Sequence, residues 1–284
     1  MEISDYSLCK SIYLGVDFSF GNVVLFDTKG QIDLQISKNG TDYGEYSFLM
    51  NAGFYQDTLI MVQEPYKYIV YDLRGKVIEE IRINDHSPFM NSRKKLFFNN
   101  DKVLKYGFIG TDLLSGFKSF YQEVFLFETV GHEAVHNIGY PDGSLYVNGT
   151  TVYEEVMPEF DVDYINKKLH VVFPYEEKLY TYSLNNFHLL SVNHIELDFF
   201  DDHIRGQKFT NNGAVDAELS DMYRSMNSRI ESVFSLADNK QFLVVYSKGV
   251  GQEFYKNNIH DNRAVFFERK KYVALFSLDE TLRK

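Results

Sequence analysis

One short pattern recurs five times in this chain: three or four apolar residues, an aromatic, a polar residue and a turn. The copies are "VVLFDTKG" (23–30), "YIVYDLRG" (68–75), "VFLFETVG" (124–131), "LYTYSLNN" (179–186) and "YVALFSLD" (272–279). Aligned on the aromatic, the anchors are Phe26, Tyr71, Phe127, Tyr182 and Phe276, at spacings of 45, 56, 55 and 94 residues. The first three spacings are those of a repeat unit of blade size or slightly longer. The last is nearly double and implies loop insertions or an irregular unit.

Every anchor after the first is preceded by a second apolar run: "DTLIMV" (57–62), "KVLKYGF" (102–108), "KLHVVF" (168–173) and "FLVVYS" (242–247). The first four anchors are followed, across a tight turn, by an alternating run such as "QIDLQIS" or "KVIEEIRI". Continuous apolar runs read as buried inner strands and alternation as a half-buried outer strand. Strand, strand, turn, wetter outer strand is the order of a propeller blade. The expected fold is therefore all-β, a β-propeller with about five recognisable blades. It forms one domain over 1–284, because no Pro/Ser-rich linker divides the chain. The first and last blades read as incomplete: the chain enters part-way through one, and "LFSLDETLRK" stops where an outer strand belongs. Fewer blades, unusual closure and a truncated form all fit that count. A helix is expected only at 216–230, where Leu219, Met222, Tyr223, Met226 and Ile230 share one helical face.

The net charge of −11 argues against a general binder of nucleic acid or anionic membrane, which needs basic surface. The basic runs "SRKK" (92–95) and "ERKK" (268–271) are short and read as solvated. A single cysteine, Cys9, excludes an intramolecular disulfide and a Cys-based zinc site. No apolar run approaches the roughly 20 residues that span a bilayer, and the acidic start "MEISDYSLCKS" is not a signal peptide.

The stretch 31–79 carries a more specific likeness. Its Gly40, Gly44-Glu45-Tyr46, two strands and "YDLRGK" turn resemble the six-bladed β-propeller family common in Bacteroidetes. That family usually has a proline before the second glycine, where this chain has Tyr43. Similar blade order runs through 165–192. The resemblance implies a propeller of largely uncharacterised role, often exported or lipid-anchored, which places it in the periplasm or at the cell surface.

Against this background "GHEAVHNIGYPDG" (131–143) stands out. His132-Glu133-x-x-His136 is the zinc-protease pattern. On that reading His132 and His136 bind zinc, Asp142 replaces the usual third histidine, and Glu133 activates the metal-bound water. The chemistry needs a helix. One helical turn brings residues i and i+4 onto one face, close enough for two bonds to one ion. On a strand the same residues lie roughly 13 Å apart. Phe127-Glu128-Thr129-Val130-Gly131 matches Phe26-Asp27-Thr28-Lys29-Gly30 without a gap. The segment therefore reads as a blade hairpin in which Gly131 supplies the turn. Met157 then precedes Pro158 in a loop rather than forming a methionine turn.

Other candidates are weaker. "DFFDDH" (198–203) gathers Asp198, Asp201, Asp202 and His203, but lacks the alternation and glycine of a hard-cation loop and reads as solvated. Asn39-Gly40-Thr41 and Asn148-Gly149-Thr150 match a glycosylation sequon but are first of all turns. "GTDYGEY" (40–46) is followed by a strand and so is no phosphate cradle. No Gly-x-Ser-x-Gly elbow occurs, and Cys9 has no evident histidine partner. Asp57 and Asp163 are acids near inner-strand starts, where propeller hydrolases hold a metal. The expected function is a non-catalytic propeller binding a protein or small ligand on a loop face, with no cofactor. The alternatives are a metzincin-like zinc metalloprotease and a metal-dependent propeller hydrolase.

Overall fold

Each recurring segment forms the third strand of an antiparallel sheet. The computed structural model describes residues 2–7, 10–55, 58–82, 97–99, 102–106, 125–129, 134–138, 140–148, 151–155, 158–163, 166–201, 203–208, 215–236 and 240–278. The first sheet is β1 (Glu2–Ser7), β2 (Ile12–Asp17), β3 (Asn22–Asp27) and β4 (Ile32–Ile36), adjacent in chain order. The second is β5 (Asn51–Tyr55), β6 (Leu59–Glu64), β7 (Lys67–Asp72) and β8 (Val77–Arg82). The third is β9 (Phe97–Asn99), β10 (Lys102–Tyr106), β11 (Phe125–Thr129) and β12 (Ala134–Ile138). These three sheets form one contact unit, and the residues from Tyr140 onward belong to a second.

In the second unit β13 (Thr151–Val152) precedes a four-stranded sheet of β14 (Glu159–Asp163), β15 (Lys168–Val172), β16 (Lys178–Ser183) and β17 (Leu189–His194). Strand β18 (Gln207–Lys208) returns to pair with β13 and leads to helix α1 (Ala217–Met226). Strands β19 (Arg229–Ser235) and β20 (Gln241–Ser247) follow, then helices α2 (Gln252–Asn257) and α3 (Asn262–Glu268). Last comes β21 (Lys271–Ser277), third strand of a three-stranded sheet. The chain is thus all-β, a series of β-propeller-type blades. The long final spacing holds two insertions: α1 with its approach, and the α2–α3 segment between β20 and β21.

The anchor aromatics mark a repeated device. In all four described outer hairpins the ladder carries a bulge: at Leu25/Phe26, Val70/Tyr71, Phe127/Glu128 and Thr181/Tyr182. A bulge adds one residue and tightens the local twist. The turns beyond it are built alike in the first two copies. Asp27 Oδ1 accepts the N–H groups of Lys29 and Gln31, both at 2.8 Å. Asp72 Oδ1 accepts those of Arg74 at 2.9 Å and Lys76 at 2.8 Å. Hydrogen bonds to the Lys76 and Arg74 N–H groups hold the Asp72 carboxyl below its ordinary pKa against a small opposing effect of burial. Gly30 and Gly75 close these turns at φ of +81° and +77°. The fourth copy has no glycine, and Phe187 takes the positive φ, at +56°.

The core of the first unit is filled by the inner strands: Leu14 and Val16, Val23 and Leu25, Ile60 and Val62, Ile69 and Tyr71. The glycine-bearing link between the first two sheets is tied down by phenols. Tyr46, fully buried, directs its hydroxyl at the carbonyls of Gly21 (2.8 Å) and Ile36 (3.0 Å). Tyr71 donates to the Gly44 carbonyl at 2.9 Å, and the Glu80 carboxylate accepts the Gly44 N–H. Gly44 itself has φ of +76°. The "GTDYGEY" stretch is therefore an inter-sheet strap, followed as expected by a strand.

Two expectations need correction. The first sheet is complete, because the acidic start "EISDYS" forms β1. Its polar character conceals a role: Asp5 Oδ2 accepts the Phe54 N–H of β5 at 2.9 Å. The helix expected over 216–230 stops at Met226, and Ile230 belongs to the core of the last sheet through β19. At the other end of the chain, β21 has no outer strand beside it among the described residues.

Gly75→Ala should lower the unfolding free energy by about 1–2 kcal/mol, the cost of a left-handed backbone for a residue with a Cβ. The new Cβ would meet only Leu34 and Ile36 side-chain atoms at 3.4–3.7 Å, ordinary van der Waals contact, so the loss is one of backbone rather than packing. Urea denaturation checks this: the midpoint should fall at unchanged m-value.

Candidate functional site

The loop between β15 and β16, Phe173–Glu177, sits at one end of the fourth sheet and floors a cleft of about 480 Å³. Ser144 and Leu145 line one side, with Lys178, His194, Phe200 and Asp201 around the rest. Glu176 is the buried acid of this cleft, with 5% of its surface exposed. Its Oε1 accepts the Ser144 hydroxyl at 2.8 Å and the Leu145 N–H, and its Oε2 accepts the Tyr180 hydroxyl at 2.6 Å. Burial, reinforced by this carboxylate, raises the Tyr180 phenol well above its ordinary pKa.

Three other polar groups of the cleft are hydrogen-bonded as well. Glu177 Oε1 accepts the Leu197 N–H at 3.0 Å, and Lys178 Nζ donates to the Gly143 carbonyl at 2.9 Å. Asp201 Oδ2 accepts both the N–H and the hydroxyl of Ser228, each at 2.9 Å. Ser144 has no histidine partner. Its hydroxyl proton points at a carboxylate that already takes two further donors. The arrangement supplies a shaped, polar recess.

Ser228 joins the cleft to the α2–α3 insertion. Gly249 N–H approaches Ser228 Oγ at 3.4 Å, and a Cβ on Gly249 would lie 1.9 Å from the Met226 carbonyl oxygen, so only glycine fits. Arg269 locks the insertion to the end of α1. Its guanidinium donates to the carbonyls of Arg224 (2.7 Å), Ser225 (3.3 Å) and Asn227 (2.6 Å), and to Ser247 Oγ at 2.9 Å. Cations satisfy orphan carbonyls at a helix C-terminus. Burial, with the nearby Arg229 charge adding to it, lowers the Arg269 pKa to about 10, so it stays charged at neutral pH.

The inner side of the insertion is apolar. Val250, Tyr255 and Val265 pack with Met226. Helix α3 starts at Asp261, whose Oδ1 accepts the N–H groups of Arg263 (3.1 Å) and Ala264 (3.0 Å). Its outer side carries Phe266 and Phe267, 59% and 80% exposed, with ring centroids 5.6 Å apart. Two large aromatics left in water beside each other mark a contact surface more often than a single exposed leucine does.

Nearby, Glu155 pairs with Arg229 at 3.1 Å and Arg224 at 3.4 Å, while Lys271 binds Glu231 at 2.6 Å. Burial raises the Glu154 carboxyl to about 7. It lowers the His170 imidazole to about 4, with Asp163 and Asp161 opposing that shift. His170 lies on β15, edge-on to Phe242 at 4.6 Å, with Nδ1 3.1 Å from Thr181 Oγ1.

Two of the four motif residues are described. His136 lies on β12, paired with Phe127 of β11. A strand there offers no helical turn on which i and i+4 ligands could meet. Asp142 is exposed in the turn before Ser144, in the second unit. His132 and Glu133 lie outside the described residues, as do Met157, Asp57, Asp202 and Cys9. Asp163 accepts the Asn166 N–H at 2.8 Å. Among the described residues no group of three or more His, Cys, Asp or Glu could hold a metal ion. "DFFDDH" is not simply solvated: Asp201 braces Ser228, and the Asp198 carbonyl accepts the Tyr246 hydroxyl at 3.0 Å. Sequence reasoning missed the α2–α3 insertion. Its signals were Asp261 as an N-cap and the glycines Gly249 and Gly251 that end the preceding strand.

No known family profile matches the sequence, and no curated protein sequence matches it. Solved structures do share the fold. One is a member of the DUF4221 family from Bacteroides vulgatus: TM-score 0.69, 11% identity, covering 98% of this chain and 79% of the other. A second is a Bacteroides fragilis protein named for inferred export: TM-score 0.56, 16% identity, covering 98% of this chain and 68% of the other. At such identities the likeness is one of fold. No helix among the described residues is long and apolar enough to cross a membrane.

The buried His170 gives a pH signature. Its folded pKa, about 4, lies below the ordinary 6.5. As pH falls from 6.5 towards 4 the unfolded chain takes the proton first, so stability is lost, by about 3 kcal/mol at the lower end. Above 6.5 both states are neutral and the effect vanishes. Thermal melts across this range should show a shallower decline for His170→Gln than for the parent. Their difference isolates His170 from Glu154, whose raised pKa acts in the opposite sense.

Proposed function

We propose that this chain is a non-catalytic β-propeller protein that binds a protein or small ligand on one loop face of its second unit. It belongs, on this reading, with the exported six-bladed propellers of Bacteroidetes. The carrying observation is the contrast on that face. Phe266 and Phe267 stand exposed on a clamped helical insertion, while Glu176, Asp201 and Lys178 of the cleft are consumed in internal hydrogen bonds. Exposed aromatics on a clamped insertion are suited to recognition: they offer contact area at low entropic cost. The loss of reactive groups to the scaffold speaks against turnover. The Bacteroides fragilis fold neighbour, named for inferred export, supports a location outside the cytoplasm.

The zinc reading is not favoured, because His136 sits on a strand. Protein purified without chelators should carry no stoichiometric zinc that His136→Ala removes. The binding reading is tested with Phe266→Ser/Phe267→Ser. This variant should keep the parent's melting temperature but lose at least about tenfold in affinity for whatever ligand or partner the parent retains. Unchanged affinity would place recognition elsewhere, and turnover of any ester, peptide or glycoside that depends on Glu176 would contradict a non-catalytic role.

A further inference from the structure

The cleft floored by Phe173–Glu177 carries more negative charge than its internal hydrogen bonds use. The carboxylates of Glu176, Glu177 and Asp201 line it, against one ammonium, that of Lys178. Glu176 is spent, because Ser144, Leu145 and Tyr180 fill both its oxygens. Glu177 and Asp201 are each held by one oxygen only. Glu177 Oε1 accepts the Leu197 N–H, and Asp201 Oδ2 accepts the N–H and hydroxyl of Ser228. Glu177 Oε2 and Asp201 Oδ1 have no hydrogen-bond partner among the described residues, and both residues are half-buried rather than sealed. Lys178 does not neutralise them. Its Nζ bonds the Gly143 carbonyl, and among the described residues it forms no ion pair.

A backbone N–H on one oxygen fixes the carboxylate, so a ligand meets it with little further loss of side-chain freedom. Ionised carboxylates accept hydrogen bonds and never donate them. A group that fills the two open oxygens must therefore donate. Only a cationic donor also offsets the charge of the recess; a hydroxyl leaves that charge in place, and an anion is repelled. Leu145, Phe200 and Ile204 supply the apolar part of the lining. Phe200 is half-buried, its ring centroid 6.3 Å from that of Tyr246, and an aromatic face attracts a cation as well as an alkyl chain. The volume of about 480 Å³ lies within the roughly 300–1,000 Å³ of small-molecule sites. The net charge of −11 on the whole chain favours the same sign of ligand.

We propose that this cleft binds an ammonium or guanidinium group on a short aliphatic arm, with the open oxygens of Glu177 and Asp201 accepting its N–H groups. The proposal rests on the reading of the loop face as a recognition surface and gives its ligand a chemistry. The end of a lysine or arginine side chain on a partner protein has that chemistry, and so does a free alkyl diamine. Asp201 then serves twice, bracing Ser228 with Oδ2 and receiving the ligand with Oδ1.

Isothermal titration calorimetry on the full chain, at neutral pH and low salt, tests this with four probes: the N-acetyl amides of lysine, arginine and norleucine, and diaminobutane. At least one cationic probe should bind with a dissociation constant of about 1 mM or tighter. The norleucine amide, which keeps the arm and lacks the charge, should bind at least about tenfold more weakly. Tighter binding of the capped residues identifies a basic protein segment as the source, and tighter binding of the diamine a free amine. Glu177→Gln/Asp201→Asn should weaken the cationic probe at least about tenfold. Its amide oxygens still accept the Leu197 and Ser228 N–H groups, so the melting temperature should stay near the parent's. The comparison with norleucine uses the parent alone and decides the matter even if the variant fails to fold. No binding of any cationic probe, equal binding of the norleucine amide, or an unchanged affinity in the folded double variant overturns the proposal. The Phe266→Ser/Phe267→Ser experiment reads other residues and the ligand the parent itself retains, so the two readings fail separately.

Discussion

The bulge beside each anchor aromatic is the constraint on which the sheets depend. It sits where the third strand hands over to the fourth, at Phe26, Tyr71, Phe127 and Tyr182. Tyr71 and Tyr182 are buried beside it, and the extra residue twists the outer strand. The aspartate that follows then closes the turn with its own side chain in two of the four copies.

The same device decides how "GHEAVHNIGYPDG" is understood. Strands β11 and β12 form a bulged hairpin in the frame of the earlier copies, and His136 is an ordinary ladder residue paired with Phe127. A pattern specific enough to name an enzyme class is only as good as the secondary structure beneath it. The ligand geometry belongs to the helix, not to the letters.

How far the fold could be read from residues alone follows from the range of the interactions involved. Anchors, inner runs and outer alternation are local, so the third strand of each sheet, the second of every sheet after the first and the fourth of the first four were legible. Strand β1 was not, because its polar residues make sense only once Asp5 meets Phe54, 49 residues on. Nor was Glu176, whose donors include Ser144 at a separation of 32 residues. The α2–α3 insertion was hidden differently. Its "AVFFERK" run looks like another strand, and only the Asp261 cap and packing against Met226 make it helical. The loop face proposed for recognition is therefore the part least visible in the sequence. Its rigidity comes from Arg269, which reaches back to carbonyls more than 40 residues earlier.

The account rests on the segment at 134–138 being a blade strand rather than part of a metal-binding helix. Carbon chemical shifts at isotopically labelled Ala134, Val135 and His136 read this directly in solution. Extended-strand shifts that do not move when zinc is added are the predicted result. Helical shifts at these three residues, above all if zinc induces them, would contradict it.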